Sequence, residues 1–111
     1  MFNQLNDEEF CKEVHRILLE NRSKEFDIKK ILSDYFGKSF SYIHQRYRRL
    51  DRKTIFSAHE ELMLEYAMVN LKKSFCIDVM IDLGFKNESY FAAWFRKHTG
   101  LNPSEYKKSV E

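Results

Sequence analysis

The sequence has few residues that interrupt regular structure, with 3 glycines and 1 proline among 111 residues. Sandwiches and barrels need many turns, so this scarcity argues against an all-β fold. Cysteine is also scarce: Cys11 and Cys76 lie far apart, and neither belongs to a CxxC pair. A disulfide framework and a structural zinc site are therefore not indicated. We expect both thiols to act as small hydrophobic side chains in a reducing cytosol.

Long apolar runs and a leader-like start are missing as well. No apolar run approaches the ~20 residues that a membrane helix requires. The first ten residues, MFNQLNDEEF, contain no basic region followed by an apolar one. We therefore expect no signal peptide and no membrane contact, and we predict a cytoplasmic protein.

What is present favours a single all-helical domain. Hydrophobic residues make up 43% and aromatic residues 15%, enough to build one sizeable core at this length. Apolar residues recur at helical spacing along most of the chain, as in Phe10, Val14, Ile17 and Leu18. The pattern predicts about seven helices. The capping residues that we predict for them are Asn6 with Glu9, Asp27, Ser39 or Ser41, Ser57 with Glu60, Asn87 and Asn102.

A helix, a glycine turn and a second helix occur twice, at residues 27–50 and 76–99. This duplication predicts two helix-turn-helix subdomains. The apolar run from Leu62 to Leu71 predicts a long central helix that several neighbours bury. We assign residues 26–56 to the first helix-turn-helix region, 57–74 to the linker helix, and 75–108 to the second region with a final helix.

Charge is unevenly distributed along the chain, although the net charge is only +2. Residues 26–56 carry eight basic and three acidic groups, whereas residues 76–111 carry five of each. A concentrated cationic segment suits a polyanionic partner, but an ordinary solvated helix face looks the same. The basic residues cluster at Arg46, Arg48, Arg49, Arg52 and Lys53.

The second repeat ends in a distinctive set of spaced residues. It has a Gly-Phe pair, then Ser-Tyr-Phe, a phenylalanine one turn later, and Gly-x-x-Pro-x-x-Tyr. This order resembles the C-terminal signature of the AraC/XylS family of bacterial transcription regulators, and a weaker resemblance extends back to about residue 26. The residues that carry it are Gly84, Phe85, Ser89, Tyr90, Phe91, Phe95, Gly100, Pro103, Ser104 and Tyr106.

The resemblance implies two helix-turn-helix subdomains bridged by a long helix, the architecture that the helical pattern also predicts. It further implies sequence-specific binding of double-stranded DNA, with the third and sixth helices in successive major grooves. Some positions depart from the family. The first turn is one residue longer than usual, and Arg52, Met63 and Met80 stand where the family usually has glycine, arginine and alanine.

A helix that reads DNA needs short polar side chains for base edges and cations for phosphates. The third helix has both, and we predict its contacts to be Ser41, His44, Gln45, Arg46, Arg48 and Arg49. The sixth helix is poorer in donors, so we expect it mainly to anchor the protein. Its predicted contacts are Glu88, Ser89, Tyr90, Ala93 and Arg96.

Other functions have weaker support in the sequence. Cys11 and His15 have metal-ligand spacing but no evident third ligand, and no catalytic pair stands out, so we expect no metal, no cofactor and no enzyme activity. The alternative function is a protein-interaction module that has lost DNA binding. The low net charge, Ala92, Ala93 and Met63 motivate it. We expect a monomeric, nucleoid-associated domain with RNA polymerase as a candidate partner.

Overall fold

The computed structural model describes residues 5–110 and contains seven helices and no strand within that range. The helices are α1 (Asp7–Glu20), α2 (Ile28–Phe36), α3 (Phe40–Asp51), α4 (Ile55–Asn70), α5 (Cys76–Asp82), α6 (Glu88–Thr99) and α7 (Pro103–Ser109). Two pairs, α2 with α3 and α5 with α6, form the helix-turn-helix motifs. The predicted all-α class with two such motifs is confirmed. None of the described helices is both long and apolar enough to span a bilayer.

Side-chain caps set most of the helix starts, as predicted. A cap residue accepts a hydrogen bond from a backbone N–H that would otherwise have no partner in the first turn. Asn6 and Asn102 each form a complete capping box with the glutamate three residues later. Of the two serines predicted to cap α3, Ser39 is the one used. The other caps are Asp27 for α2 and Asn87 for α6.

The prediction for the start of α4 is wrong. The Thr54 hydroxyl, rather than that of Ser57, accepts from the N–H three residues on, at 3.0 Å from the Ser57 nitrogen. The helix therefore spans Ile55–Asn70 instead of 57–74. The reason is core packing, because the earlier start places Ile55 and Ala58 on the buried face, with exposed fractions of 0% and 4%.

The described residues form two compact units, one containing residues 5–22 and 26–62, the other residues 23–25 and 63–110. In the first unit, α1, α2, α3 and the start of α4 enclose one apolar core. Tyr47 is its largest fully buried side chain. The other fully buried members are Phe10, Val14, Leu18, Leu32, Ile43 and Ile55.

The second unit has an aromatic core around α6. Phe91 and Phe95 are fully buried as predicted, and the Phe95 ring lies 5.4 Å from that of Tyr106. The later part of α4 adds Met63, which is 3% exposed and thus a core residue. Most of the run from Leu62 to Leu71 is buried or half-buried, as predicted, although Val69 is 49% exposed.

Among residues 5–110, four have a left-handed backbone conformation at the end of a helix or in a turn, and Gly84 is the most constrained of them. Its φ is +81°, and a Cβ atom there would lie 2.3 Å from the Ser23 Oγ and 3.2 Å from the Glu25 backbone nitrogen. Gly37 has a φ of +66° but open space around it. Arg52 is the only non-glycine among the four, with a φ of 60°.

We predict that Gly84→Ala destabilises the protein more than Gly37→Ala. Both alanines adopt a left-handed conformation that costs roughly 1–2 kcal/mol. Only Gly84→Ala also pushes against residues 23–25, which adds about 1–3 kcal/mol as in other overpacked sites. Urea-induced unfolding measures both losses, and equal losses would contradict the close approach at Gly84.

Candidate nucleic-acid interface

The outward face of α3 follows from its inward face. Ile43 and Tyr47 lie one turn apart and are 0% exposed, so the residues on the opposite side of the helix face solvent. Ser41 and Gln45 are exposed there, with the Gln45 amide nitrogen 3.4 Å from the Ser41 hydroxyl. This pair presents a short row of donors and acceptors along the helix.

Three arginines continue this face toward the end of α3. Arg48, Arg49 and Arg52 are exposed, and none forms an ion pair with another residue between 5 and 110. Lys53, which the sequence places in the same basic cluster, differs. Its ammonium lies 2.8 Å from the Glu61 carboxylate, so its charge is balanced within the first unit.

Arg46 does not join the outward face. Its side chain is only 14% exposed, and it donates to the Asp7 carboxylate at 3.0 Å and to the Leu5 carbonyl at 2.9 Å. The guanidinium carbon also lies 4.3 Å above the centre of the Phe10 ring, within cation–π range. The prediction that Arg46 contacts DNA has no support in this geometry, since the side chain ties α3 to α1.

A partly buried polar network holds the second half of α3 against α1. The Tyr47 hydroxyl donates to the Asp51 carboxylate at 2.6 Å, and the His15 Nε2 lies 2.8 Å from that hydroxyl. The hydrogen bond from Tyr47 holds the pKa of Asp51 below its usual value. Burial, aided by Asp51, raises the pKa of Tyr47. The hydroxyl therefore stays protonated and keeps its hydrogen bond, which orients the arginine-bearing end of the helix.

The predicted reader His44 is less accessible than Gln45. His44 is half-buried, and its ring lies 5.5 Å from the Phe40 ring. Its Nδ1 is buried without a hydrogen-bond partner. Any contact that His44 makes with a ligand must therefore use its other nitrogen.

The sequence analysis does not predict two residues of this face, Lys38 and Tyr42. Tyr42 is 48% exposed beside Ser41, and the Lys38 ammonium lies 5.5 Å from the centre of its ring. The signal was present, because Tyr42 precedes Gln45 by three positions and Arg49 by seven, which is the spacing of one helix face.

The outward face of α6 is arranged in the same way. Phe91 and Phe95 point inward, and Trp94 packs 5.1 Å from the Phe85 ring. All five residues predicted for this face are exposed: Glu88, Ser89, Tyr90, Ala93 and Arg96. Tyr90 is 67% exposed. The face is less basic than that of α3.

The described part of the chain contains no group of three or more metal-binding side chains close enough to hold an ion. The two cysteines are free and half-buried. Burial raises the pKa of both thiols, which disfavours the reactive thiolate.

Comparison with known proteins identifies relatives that contain helix-turn-helix motifs. Residues 32–109 match a family described as a helix-turn-helix domain. The chain is 32% identical over 73 residues to an HTH-type transcriptional regulator from Pseudoalteromonas carrageenovora. That alignment covers 66% of this chain and 44% of the relative, so the chain spans less than half of the relative's length.

Solved structures share the fold at low sequence identity. The C-terminal domain of AraT, a response regulator from Geobacillus stearothermophilus, has a TM-score of 0.79 and 14% identity, covering 90% of this chain and 84% of that one. A probable AraC family transcriptional regulator from Rhodopseudomonas palustris CGA009 has a TM-score of 0.71 and 21% identity, covering 92% and 97%.

We predict that Arg46→Ala lowers stability whereas Arg49→Ala does not. Arg46→Ala removes three charge-assisted hydrogen bonds, two to Asp7 and one to Leu5, and a cation–π contact. We expect a loss of about 1–3 kcal/mol. Arg49→Ala alters an exposed side chain, with an expected change within about 0.5 kcal/mol. Thermal and urea unfolding of the two variants provide the measurement. An equally stable Arg46→Ala variant would show that the side chain is not structural.

Proposed function

Because the chain belongs to the AraC-type family of helix-turn-helix transcription regulators, we propose that it binds double-stranded DNA sequence-specifically, with α3 and α6 in successive major grooves. The family is one of transcription regulators and not of enzymes. The observation that carries the proposal is the α3 face, where Ser41 and Gln45 are exposed beside three arginines that have no ion pair among the described residues.

The chemistry of this face matches what duplex DNA presents. Each base pair shows a distinct set of donors and acceptors in the major groove, and an amide side chain pairs with the two hydrogen-bonding groups of adenine. Gln45 is the exposed amide of α3, so we assign it to base reading. Arginines at the end of the helix suit the phosphates, which supply most of the affinity but no sequence information.

The α6 face supports a weaker role in reading. Ser89 and Arg96 suit phosphate oxygens, Glu88 suits the amino group of cytosine, and Ala93 offers only a methyl contact. We therefore propose that α3 dominates sequence preference and that α6 mainly anchors the protein. The binding site on DNA is then asymmetric.

The alternative, a protein-interaction module that has lost DNA binding, has less support than the sequence suggests. Met63 motivated it, but Met63 is buried in the second core, which gives this side chain a packing role. Ala92 is half-buried and so contributes little to the outward face. A contact with RNA polymerase and a monomeric state both stay predictions.

We predict salt-dependent binding of one molecule to an asymmetric site. Each phosphate contact should contribute roughly 0.9 to the slope of log affinity against log salt. In a duplex selected from random sequences, footprinting should show a strong element and a weaker one about ten base pairs away. Flat affinity across salt would favour the interaction module. A palindromic site with two molecules, each covering one groove, would contradict the two-groove arrangement.

We predict that Gln45→Ala and His44→Ala each relax sequence preference at one base position, by about 1–3 kcal/mol. Arg49→Ala is the matched control on the same helix, and it should weaken binding to all sequences alike because it removes a phosphate contact. Selection from random duplexes with each variant measures the preference. If both substituted proteins select the wild-type motif with wild-type discrimination, α3 is not the reading helix.

A further inference from the structure

Part of the connection between α1 and α2, residues 23–25, packs as a segment of the second unit. Residues 23–25 belong to that unit, and the Lys24 backbone N–H donates to the Leu83 carbonyl at 3.0 Å. Ser23 is buried at 9% exposure, against Gly84, which has no side chain to displace it. The backbone of Lys24 is thus held beside the turn that precedes α6.

The side chain of Lys24 is directed over two aromatic rings. Its ammonium lies 4.8 Å from the centre of the Phe85 ring and 5.3 Å from that of Tyr90. Cation–π contacts of this kind orient an ammonium without neutralising it. Lys24 is exposed and has no ion pair in the described part of the chain, so its full charge faces solvent.

These residues line an open depression of about 700 Å³ next to the start of α6. Lys86 contributes a second exposed ammonium, and Tyr90 supplies an exposed aromatic wall and a hydroxyl. Glu25 contributes one carboxylate, so the lining has a net positive charge. The remaining lining residues are Gly84 and Asn87.

We propose that this depression binds a backbone phosphate of the DNA duplex that α6 approaches, with Lys24 and Lys86 as the cationic contacts. The proposal rests on the function proposed above and extends it to a segment outside both helix-turn-helix motifs. Lys24 also precedes residues 32–109, which match the family, so the family match does not assign it. Lys24 thereby adds a cation beside the segment 76–111, whose five basic and five acidic groups cancel.

The test replaces Lys24 with Met in the full chain, which keeps an aliphatic stem on the Phe85 ring and removes only the charge. With a duplex selected by the wild-type protein, the slope of log affinity against log salt should become shallower by about 0.9. Affinity near 0.1 M salt should fall roughly eightfold, the value that one phosphate contact implies. Lys24→Arg should retain the wild-type slope, and every variant should keep the wild-type sequence preference.

Lys12→Met is the matched control, because Lys12 is an exposed lysine of α1 that pairs with Glu8 at 3.3 Å. A slope change in this variant equal to that of Lys24→Met would show a general charge effect and overturn the proposal. Neutral methylphosphonate links placed one at a time in the duplex identify the phosphate. One link should weaken wild-type binding but leave Lys24→Met unaffected, as a double-mutant cycle requires.

Two further outcomes separate this proposal from the proposed function. If the wild type binds with a steep salt slope and Lys24→Met keeps all of it, the phosphate site is wrong while DNA binding stands. If the wild type shows no salt-dependent binding, both fall. Should Lys24→Met fail to fold, Glu25→Gln decides: removing the only carboxylate of the lining should tighten binding, and unchanged affinity would overturn the proposal.

Discussion

The structure depends on the burial of one apolar face on each of two short helices. Helices α3 and α6 have 12 residues each, a length that is marginal in water without tertiary packing. Ile43 and Tyr47 in α3, and Phe91 and Phe95 in α6, are essentially inaccessible to solvent. Because the side chains of a helix are fixed in angle relative to one another, this burial also determines which residues face outward. The candidate interface therefore consists of the α3 and α6 residues that face away from the buried side of each helix.

Ion pairs within the protein neutralise part of the positive charge that the sequence places in residues 26–56. The basic segment at residues 26–56 appears uniform in sequence, but Arg46 pairs with Asp7 and Lys53 with Glu61. The Asp51 carboxylate is engaged by the Tyr47 hydroxyl. Five basic side chains of this segment have no ion pair among the described residues: Lys29, Lys38, Arg48, Arg49 and Arg52. Three of the five lie at the end of α3, so the positive charge left for a ligand is concentrated there. Cations at a few fixed positions favour one defined alignment of the protein on a polyanion, whereas widely spread charge attracts the polyanion without orienting it.

Much of the fold could be predicted because its determinants are local. Caps act over three residues and apolar stripes over four, so the helices and most of their starts follow from spacing alone. The start of α4 could not, because Thr54 and Ser57 both fit the capping pattern and only the burial of Ile55 distinguishes them. The residues on the outward face of α3 can likewise be predicted from the helical spacing of its apolar residues. The role of Arg46 was not, since its partner Asp7 lies 39 positions away and no local pattern links the two.

The left-handed conformation of Arg52 has an evolutionary consequence. An L-residue with a side chain is strained there by roughly 1–2 kcal/mol, whereas glycine is not. An exposed arginine at this point instead adds a cation just beyond α3. The residue at this position therefore sets both the backbone strain and the charge at the end of α3, and a single substitution changes both. Lineages under heat stress should accordingly favour glycine at position 52, which relieves the strain and removes the charge.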